Sequence, residues 1–551
     1  MVTRYCKSNL SLGLHNNQGI LEWSSFPDVV TLQTVLEKLA NGLPYGNYSK
    51  HYGFSFIRCK KDIEELSNLD PDYAVVEEKE YAEQLLVLPP IFKDVEDKSQ
   101  SKKQSINFNI VMIDSVSRQH FYRSLKKSVS FFEKLNKNNS SLASVIDFEL
   151  VQSIKSRTFE NLQAFFSGYV DPSKKTFGVQ EIPPEPLNMT KLFRKLKTRG
   201  YQTLWLEDLC YLWEWGLPKD LHFLNLSSSH QETWKRMWSR LSQNFIDSVD
   251  VTLAMCKIFD ACGVKDGFHS PNPICFNGRH QHEYLFEYLS LYQKKLNSLG
   301  QPWFTFTMTN VGHEETGRRI QTLDSSLVNY LSLASSMPNT LTVLLSDHGN
   351  TYGEFLKRTQ EGEVEKFNPF LFFIIPRYLG QQLGMSRMRA LGLNSKHLIT
   401  WLDLHYTLRH LISPRSRVSK KSRSFNVSNR GLFSPVSSQR TCNHLPLIPP
   451  NTCICEDFEQ KVTSSLGQEL LAFFAVDQLN AEIQRQFSLS HNFTLEKGFY
   501  EKKSSSSKTW SAFGNCEKLT FVGFDNVRTS IDKVSKYNIK LMLYIHFCLS
   551  V

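Results

Sequence analysis

Five short stretches of this chain are apolar at nearly every position: "INFNIVMID" (106–114), "YQTLWLED" (201–208), "WFTFTMTNV" (303–311), "TLTVLLSD" (340–347) and "PFLFFIIP" (369–376). Each is bounded by polar residues, Gly or Pro, which predicts strands buried on both faces. Between them, residues 119–136, 188–199, 321–336 and "SKHLITWLDLHYTLRHLI" (395–412) place apolar side chains every three or four positions, which predicts helices. Helices that alternate with doubly buried strands predict an α/β fold, a three-layer αβα sandwich around a largely parallel sheet. In such sheets the ligand site lies beyond the C-terminal ends of the strands.

The alternation occupies only part of the chain. Residues 1–104 are mixed and end in the charged run "KDVEDKSQSKKQS" (93–105), so they are expected to form an N-terminal extension that packs on the core or is partly flexible. The core is expected over 105–415. Beyond it, 416–551 reads as a linker followed by a Cys-bearing region, with "SPRSRVSKKSRS" (413–424) as the linker. The formal charge of +10 is spread along 551 residues, and no RNA-reading motif is present, so nucleic acid is not an expected partner. Eleven cysteines and sequons at Asn9, Asn47, Asn138, Asn139, Asn188, Asn225, Asn426 and Asn492 point to an extracellular or secretory-pathway protein. No apolar h-region opens the sequence, and no apolar run reaches the roughly 20 residues of a membrane span; "IKLMLYIHFCLSV" is too short, so no anchor is evident.

Three strand ends deliver ionisable residues to the expected site. "NIVMIDSVSR" brings Asp114, "FTMTNVGHE" brings His313, and "TVLLSDHG" brings Asp347 and His348. Carboxylate oxygen with imidazole nitrogen suits one divalent cation of the Zn or Mn type. In "SIKSRTFENLQAFFSGY", Thr158 opens a predicted helix, where the positive end of the dipole and free N–H groups favour a nucleophilic oxygen beside an anionic substrate; an ordinary N-cap fits the same letters. Glu207 and Asp208 also end a strand. Asp403 and His405, two apart on a helix, do not share a face, and His280 and His282 read as surface residues. Cys442, Cys453 and Cys455 lack a fourth ligand at a finger-like spacing, so disulfides are expected there rather than zinc.

The order of these motifs, Asp114, "TFEN", "GHE" and "SDHG", resembles the alkaline phosphatase and sulfatase superfamily. More closely, "IDSVSRQHFYRSL", "RTFENLQAFFSGY", "SDHGNTYGEFLKRTQEGEVEKFNPFLFFIIP", "HLITWLDLHYTL" and "RTCNHLPLIPPNTCIC" are similar to the animal family labelled domain of unknown function 229. The resemblance implies an alkaline-phosphatase-like fold in which Asp114, Thr158, Asp347 and His348 surround one metal and Thr158 is the nucleophile. It implies for Asn161 a contact with substrate phosphoryl oxygens, as in members with a "TFPN" motif; here Glu160 replaces the proline and must point away from an anion. Two-metal members carry Asp-x-x-x-His where this chain has Thr309 and His313, so the resemblance implies a single metal, with His313 touching substrate or leaving group. The implied substrate is a phosphate ester, on a lipid headgroup or glycan-linked, and the implied activity is a phosphoric ester hydrolase or phosphotransferase. The alternative is a catalytically silent extracellular binding glycoprotein on the same fold. Sulfatases use Cys or Ser in a Cys-x-Pro-x-Arg context, which "RTFEN" does not match.

Overall fold

The computed structural model describes residues 9–41, 43, 51–60, 81–92, 105–137, 141–170, 185–225, 227–414, 417–418, 425–447, 453–455, 459–461, 465–491, 520–531 and 537–546. The sequons at Asn47, Asn138, Asn139 and Asn492, most of the charged run 93–105 and residues 415–416 and 419–424 of the linker lie outside the described residues. Two compact units are present, Met1–Ile454 and Cys455–Val551.

The N-terminal strands are β1 (Leu10–His15), β2 (Leu21–Phe26), β3 (Phe54–Lys60) and β4 (Tyr81–Val87), an antiparallel sheet in the order β2-β1-β3-β4. Its two faces follow the alternation of side chains along a strand. Leu10, Leu12 and Leu14 join Ile57 and Cys59 in a small apolar cluster with helix Val29–Ala40, while Phe54 and Phe56 enter the main core.

The central sheet contains β5 (Asn107–Ile113), β6 (Ala143–Asp147), β7 (Gln202–Glu207), β8 (Trp303–Thr309), β9 (Thr340–Leu345) and β10 (Leu371–Pro376), in the order β6-β10-β9-β5-β8-β7. Strands β7, β8, β5 and β9 are parallel, and every residue of β5, β8 and β9 is buried, as apolar runs covered on both faces require. The sandwich and the largely parallel sheet are those expected. Strand β10 is the exception, antiparallel to both β9 and β6. A parallel strand needs a crossover that carries the chain back along the sheet. The connection from Leu345 to Leu371 instead keeps its helix Gln360–Phe367 at the strand end, where Gly349 N–H donates to the Lys366 carbonyl at 2.9 Å, so the chain re-enters the sheet from that end.

The predicted helix at 119–136 is two helices, Arg118–Ser124 and Lys126–Lys137, broken at Leu125. His282, expected at the surface, is 2% exposed and its ring stacks on His280 at 5.2 Å. Disulfides join Cys210 to Cys256 and Cys442 to Cys453. In the second unit, Glu459–Lys461, Thr520–Ile531 and Tyr537–His546 form a three-stranded antiparallel sheet beside a long helix, Ser465–His491. Among the described residues no helix is long and apolar enough to cross a membrane.

Candidate metal centre

Strands β5 and β9 are neighbours, so the residues that follow them are brought together. Asp114 follows β5; Asp347 and His348 follow β9, and one ligating atom from each lies within 4.8 Å of the others. His348 Nε2 is 3.2 Å from Asp347 Oδ2 and 3.9 Å from Asp114 Oδ1. All three are buried. His348 Nδ1 faces the Gly349 carbonyl at 2.7 Å, which assigns its proton to Nδ1 and presents the Nε2 lone pair to the carboxylates.

The backbone is shaped around this cluster. Gly349 lets the turn pass close to the following helix: a Cβ there would stand 1.9 Å from the Glu365 carbonyl oxygen. Ser115 holds a left-handed φ of 61°, a costly conformation for a residue with a Cβ, and from it donates its N–H to Asp347 Oδ1 at 3.2 Å. Its hydroxyl donates to Asp114 Oδ1 at 3.0 Å. One oxygen of each carboxylate is thus engaged, while Asp114 Oδ2 and Asp347 Oδ2 are buried with no hydrogen-bond partner. Orphaned buried carboxylate oxygens are costly unless a cation meets them. Burial and the neighbouring Asp347 charge push Asp114 well above the usual carboxylate range, the disfavoured state that a dication reverses. The donor set therefore fits one divalent ion held by two carboxylates and an imidazole.

Asp114 and His348 open onto a cavity of about 270 Å³ that also receives Thr158 and His313. Thr158 is the first residue of helix Thr158–Ser167, and its neighbour Arg157 serves as N-cap without a side-chain capping bond. Glu160 does not line this cavity; it is buried and paired with Arg157, which does line it, and, at 3.7 Å, with Lys155. Asn161, expected to contact substrate, has its amide engaged by backbone groups here. Its Oδ1 accepts from Ile154 N at 2.8 Å and its Nδ2 donates to the Lys155 and Arg157 carbonyls, so the amide braces the loop that precedes Thr158. His313 packs on Phe268 with ring centroids 4.2 Å apart and lies 3.4 Å from the Tyr352 hydroxyl. Burial is the main cause that lowers it to about 3, so it is neutral at pH 7.

Glu207 and Asp208 stand behind the cavity. Asp208 accepts from Thr309 Oγ1 at 2.8 Å and from the backbone and side-chain amides of Asn310, so it clamps the end of β8. Glu207 accepts from Leu217 N at 3.0 Å, and burial followed by the Asp220 charge pushes it from 4.5 up to about 8. A raised carboxyl pKa favours folding below the unfolded value and loses that contribution as pH rises through the folded one. Glu207→Gln keeps the acceptor for Leu217 and removes the charge. Denaturation as a function of pH is therefore expected to show the variant gaining on wild type between pH 4.5 and 8, by roughly 3–5 kcal/mol at the top of that range.

The remaining walls come from irregular segments that carried no periodic signal. Lys219 holds its ammonium 3.5 Å over the Trp215 ring, and Asp220 beside it is pushed up to about 7, chiefly by burial. Phe268 and His269 sit on a loop pinned by the buried Arg319, whose guanidinium donates to the Gly267, Ser270 and Asn310 carbonyls. A Pro just inside a four-residue helical turn, "LPKD", was the local sign that Lys219 and Asp220 are held in a fixed frame.

The sequence profile of the family described as "Protein of unknown function (DUF229)" matches residues 47–213 and 254–498. The chain belongs to this family. Asp114, Thr158, Asn161, His313, Asp347 and His348 all fall within the matched segments. No curated protein matches the chain. Similar solved structures include the zinc complex of the C-terminal periplasmic domain of EcEptC from Escherichia coli, 12% identical, covering 66% of this chain and 99% of that one at a TM-score of 0.37. A second is Ps i-CgsB in complex with k-i-k-neocarrahexaose, 15% identical, covering 57% of this chain and 73% of that one at 0.36. A third is lipooligosaccharide phosphoethanolamine transferase A (EptA) from Neisseria meningitidis, 11% identical, with 58% and 56% covered at 0.34.

Proposed function

We propose that this DUF229 chain is a metal-dependent phosphoric ester hydrolase or phosphotransferase with Thr158 as its nucleophile. The observation that carries the reading is the buried convergence of Asp114, Asp347 and His348, with two orphaned carboxylate oxygens, on a cavity that Thr158 also lines. These three residues, with Thr158, would hold one Zn- or Mn-type divalent ion, which supplies Lewis-acid neutralisation of phosphoryl charge and makes a hydroxyl more acidic.

The chain's own residues do the rest. Thr158 Oγ forms a bond to phosphorus as the ester oxygen leaves with the bonding pair, and its proton passes to solvent; water or an alcohol then attacks the phosphothreonine and restores the hydroxyl. Two in-line displacements retain configuration at phosphorus. The N–H groups of the helix start, which carries no side-chain capping bond at Arg157, favour the anion, and Asn161 keeps that start in position. Neutral His313, with Tyr352, offers a hydrogen bond to substrate or leaving group, and Lys219 adds a cation. The pairing of Glu160 with Arg157 and Lys155 removes the repulsion that a carboxylate beside an anion would exert.

The decisive test measures bound metal and turnover of aryl phosphodiester and monoester substrates by wild type and Thr158→Ala. The variant is expected to keep its metal and lose at least about 1,000-fold in turnover. Wild-type protein that binds metal yet turns over no ester would leave only the silent binding module.

We further propose an extracellular or secretory-pathway location. The disulfides Cys210–Cys256 and Cys442–Cys453 support it, as do four described sequon asparagines, Asn9, Asn188, Asn225 and Asn426, all exposed. Protein from a eukaryotic secretory host is expected to lose apparent mass on treatment with an N-glycan amidase; an unchanged mass would remove this support.

A further inference from the structure

A second cavity, of about 490 Å³, lies at the other end of the helix that Thr158 opens. Ser167 and Gly168 line it, and ten helical residues set it roughly 15 Å from Thr158. Its walls carry five cationic side chains from three segments: Lys191, Arg194 and Lys195 on helix Thr190–Lys197, Arg409 on helix Trp401–Ile412, and Arg417 beyond it. Among the described residues, none that lines it is acidic. We propose that this cavity is a binding site for a compact saccharide bearing several sulfate or phosphate ester groups.

Four of the five cations lack a counter-charge among the described residues. Among them, Lys191, Arg194, Arg409 and Arg417 make no ion pair; Arg194 stacks on Phe245 and Arg409 on Tyr406, contacts that hold guanidinium groups in place and neutralise nothing. Arg409 donates one N–H to the Arg417 carbonyl at 2.8 Å, and its Nε is buried with no acceptor. A helix C-terminus such as Gly168 carries about half a negative charge, enough for one of these four cations and not for all of them. Mutual repulsion reaches the groups beneath: burial and then the charges of Arg409, Lys191 and Lys195 weigh against a protonated His405.

The shape and lining select the ligand class. The volume lies within the range of small-molecule sites, and the cavity is concave, which a bilayer surface does not fill. The aromatic residue present, Tyr406, is 2% exposed and bonded through its hydroxyl to the Gly168 carbonyl, so it offers no face to a nucleobase. None of the exposed large apolar residues lines the cavity to seat an acyl chain. A polar carrier with clustered oxyanions remains, its esters met by guanidinium and ammonium groups.

The test uses the full chain and titration calorimetry with a heparin-derived tetrasaccharide, its desulfated form, inositol hexakisphosphate, inorganic phosphate and phosphatidylserine vesicles. Wild type is expected to bind the tetrasaccharide or the inositol polyphosphate, which distinguishes sulfate from phosphate esters, and to ignore the desulfated sugar. Lys191→Glu with Arg417→Glu, both exposed positions, is expected to weaken that binding at least 10-fold with unfolding temperature and phosphoester turnover unchanged. Equal affinity in the double variant would overturn the proposal. So would binding to vesicles or inorganic phosphate as tight as to the saccharides, or no binding to either polyanion. Because turnover is read separately, a failure here and a failure of the catalytic reading are distinguishable.

Discussion

Asp347→Asn is expected to abolish stoichiometric metal binding and to lower ester turnover at least about 1,000-fold, measured by elemental analysis and an aryl phosphate assay. The same substitution is expected to change stability in opposite directions with and without metal. In chelator, the wild-type site buries Asp114 and Asp347 together, with an orphaned oxygen on each. Asp114 is held well above its ordinary range by burial and then by the Asp347 charge, so in the metal-free wild type its contribution to stability is fullest at low pH and is lost as pH rises through the folded Asp114 pKa. The asparagine removes one of the two charges. Metal-free Asp347→Asn should therefore melt above metal-free wild type at neutral pH, with a flatter pH dependence. With metal at about 1,000 times its dissociation constant, wild type gains about 4.1 kcal/mol by linkage and the order reverses. Melting curves that keep the same order in chelator and in metal would show that the cluster is an ordinary buried acid pair.

The centre was legible because period and polarity agreed. A run such as "TVLLSDHG" can only be a covered strand with a polar end, and β5 and β9 deliver Asp114, Asp347 and His348 to one place because they are adjacent in the sheet. The direction of β10 was not legible, since "PFLFFIIP" has the same composition whichever way it runs; where the chain re-enters the sheet decides it. The bracing contacts of Asn161 were not legible for a related reason: its spacing from Thr158 is compatible with facing substrate, and the 154–157 loop that folds back onto both ends of its amide leaves no local signature. The exposure expected for His282 overlooked a signal that was present. It precedes Leu285 by three positions and Leu289 by seven, so it belongs to the buried stripe of helix Gln281–Ser298. Trp215 and Phe268 lie on irregular segments and Lys219 on a single helical turn, where local pattern does not report which side chains a fold will gather.

Arg440→Met is expected to destabilise the protein by roughly 3–5 kcal/mol, the largest stability loss predicted for a single substitution here. Arg440 Nη1 lies 2.7 Å from Asp403 Oδ2, with the two side chains 1% and 2% exposed. The guanidinium also donates to the Leu398 and Phe425 carbonyls. Asp403 in turn accepts from Thr400 N at 2.9 Å and caps helix Trp401–Ile412. With methionine in place, the carboxylate stays buried with one backbone N–H for company, and two carbonyls lose their donors. Asp403→Asn in the same chain neutralises the stranded charge, so the double variant should recover part of the loss, and a double-mutant cycle of denaturant midpoints measures the coupling. A single variant no less stable than wild type would mean that the pair contributes nothing. The effect should also reach the candidate nucleophile. On the helix that Asp403 caps, His405 Nδ1 meets the Phe165 carbonyl at 2.7 Å and the Tyr406 hydroxyl donates to the Gly168 carbonyl at 3.2 Å, and both carbonyls belong to the far end of the Thr158 helix. Arg440→Met is thus expected to lower turnover through misplacement of Thr158, and the conservative Asp403→Asn rescue should restore turnover and stability together, whereas Thr158→Ala loses turnover with stability intact.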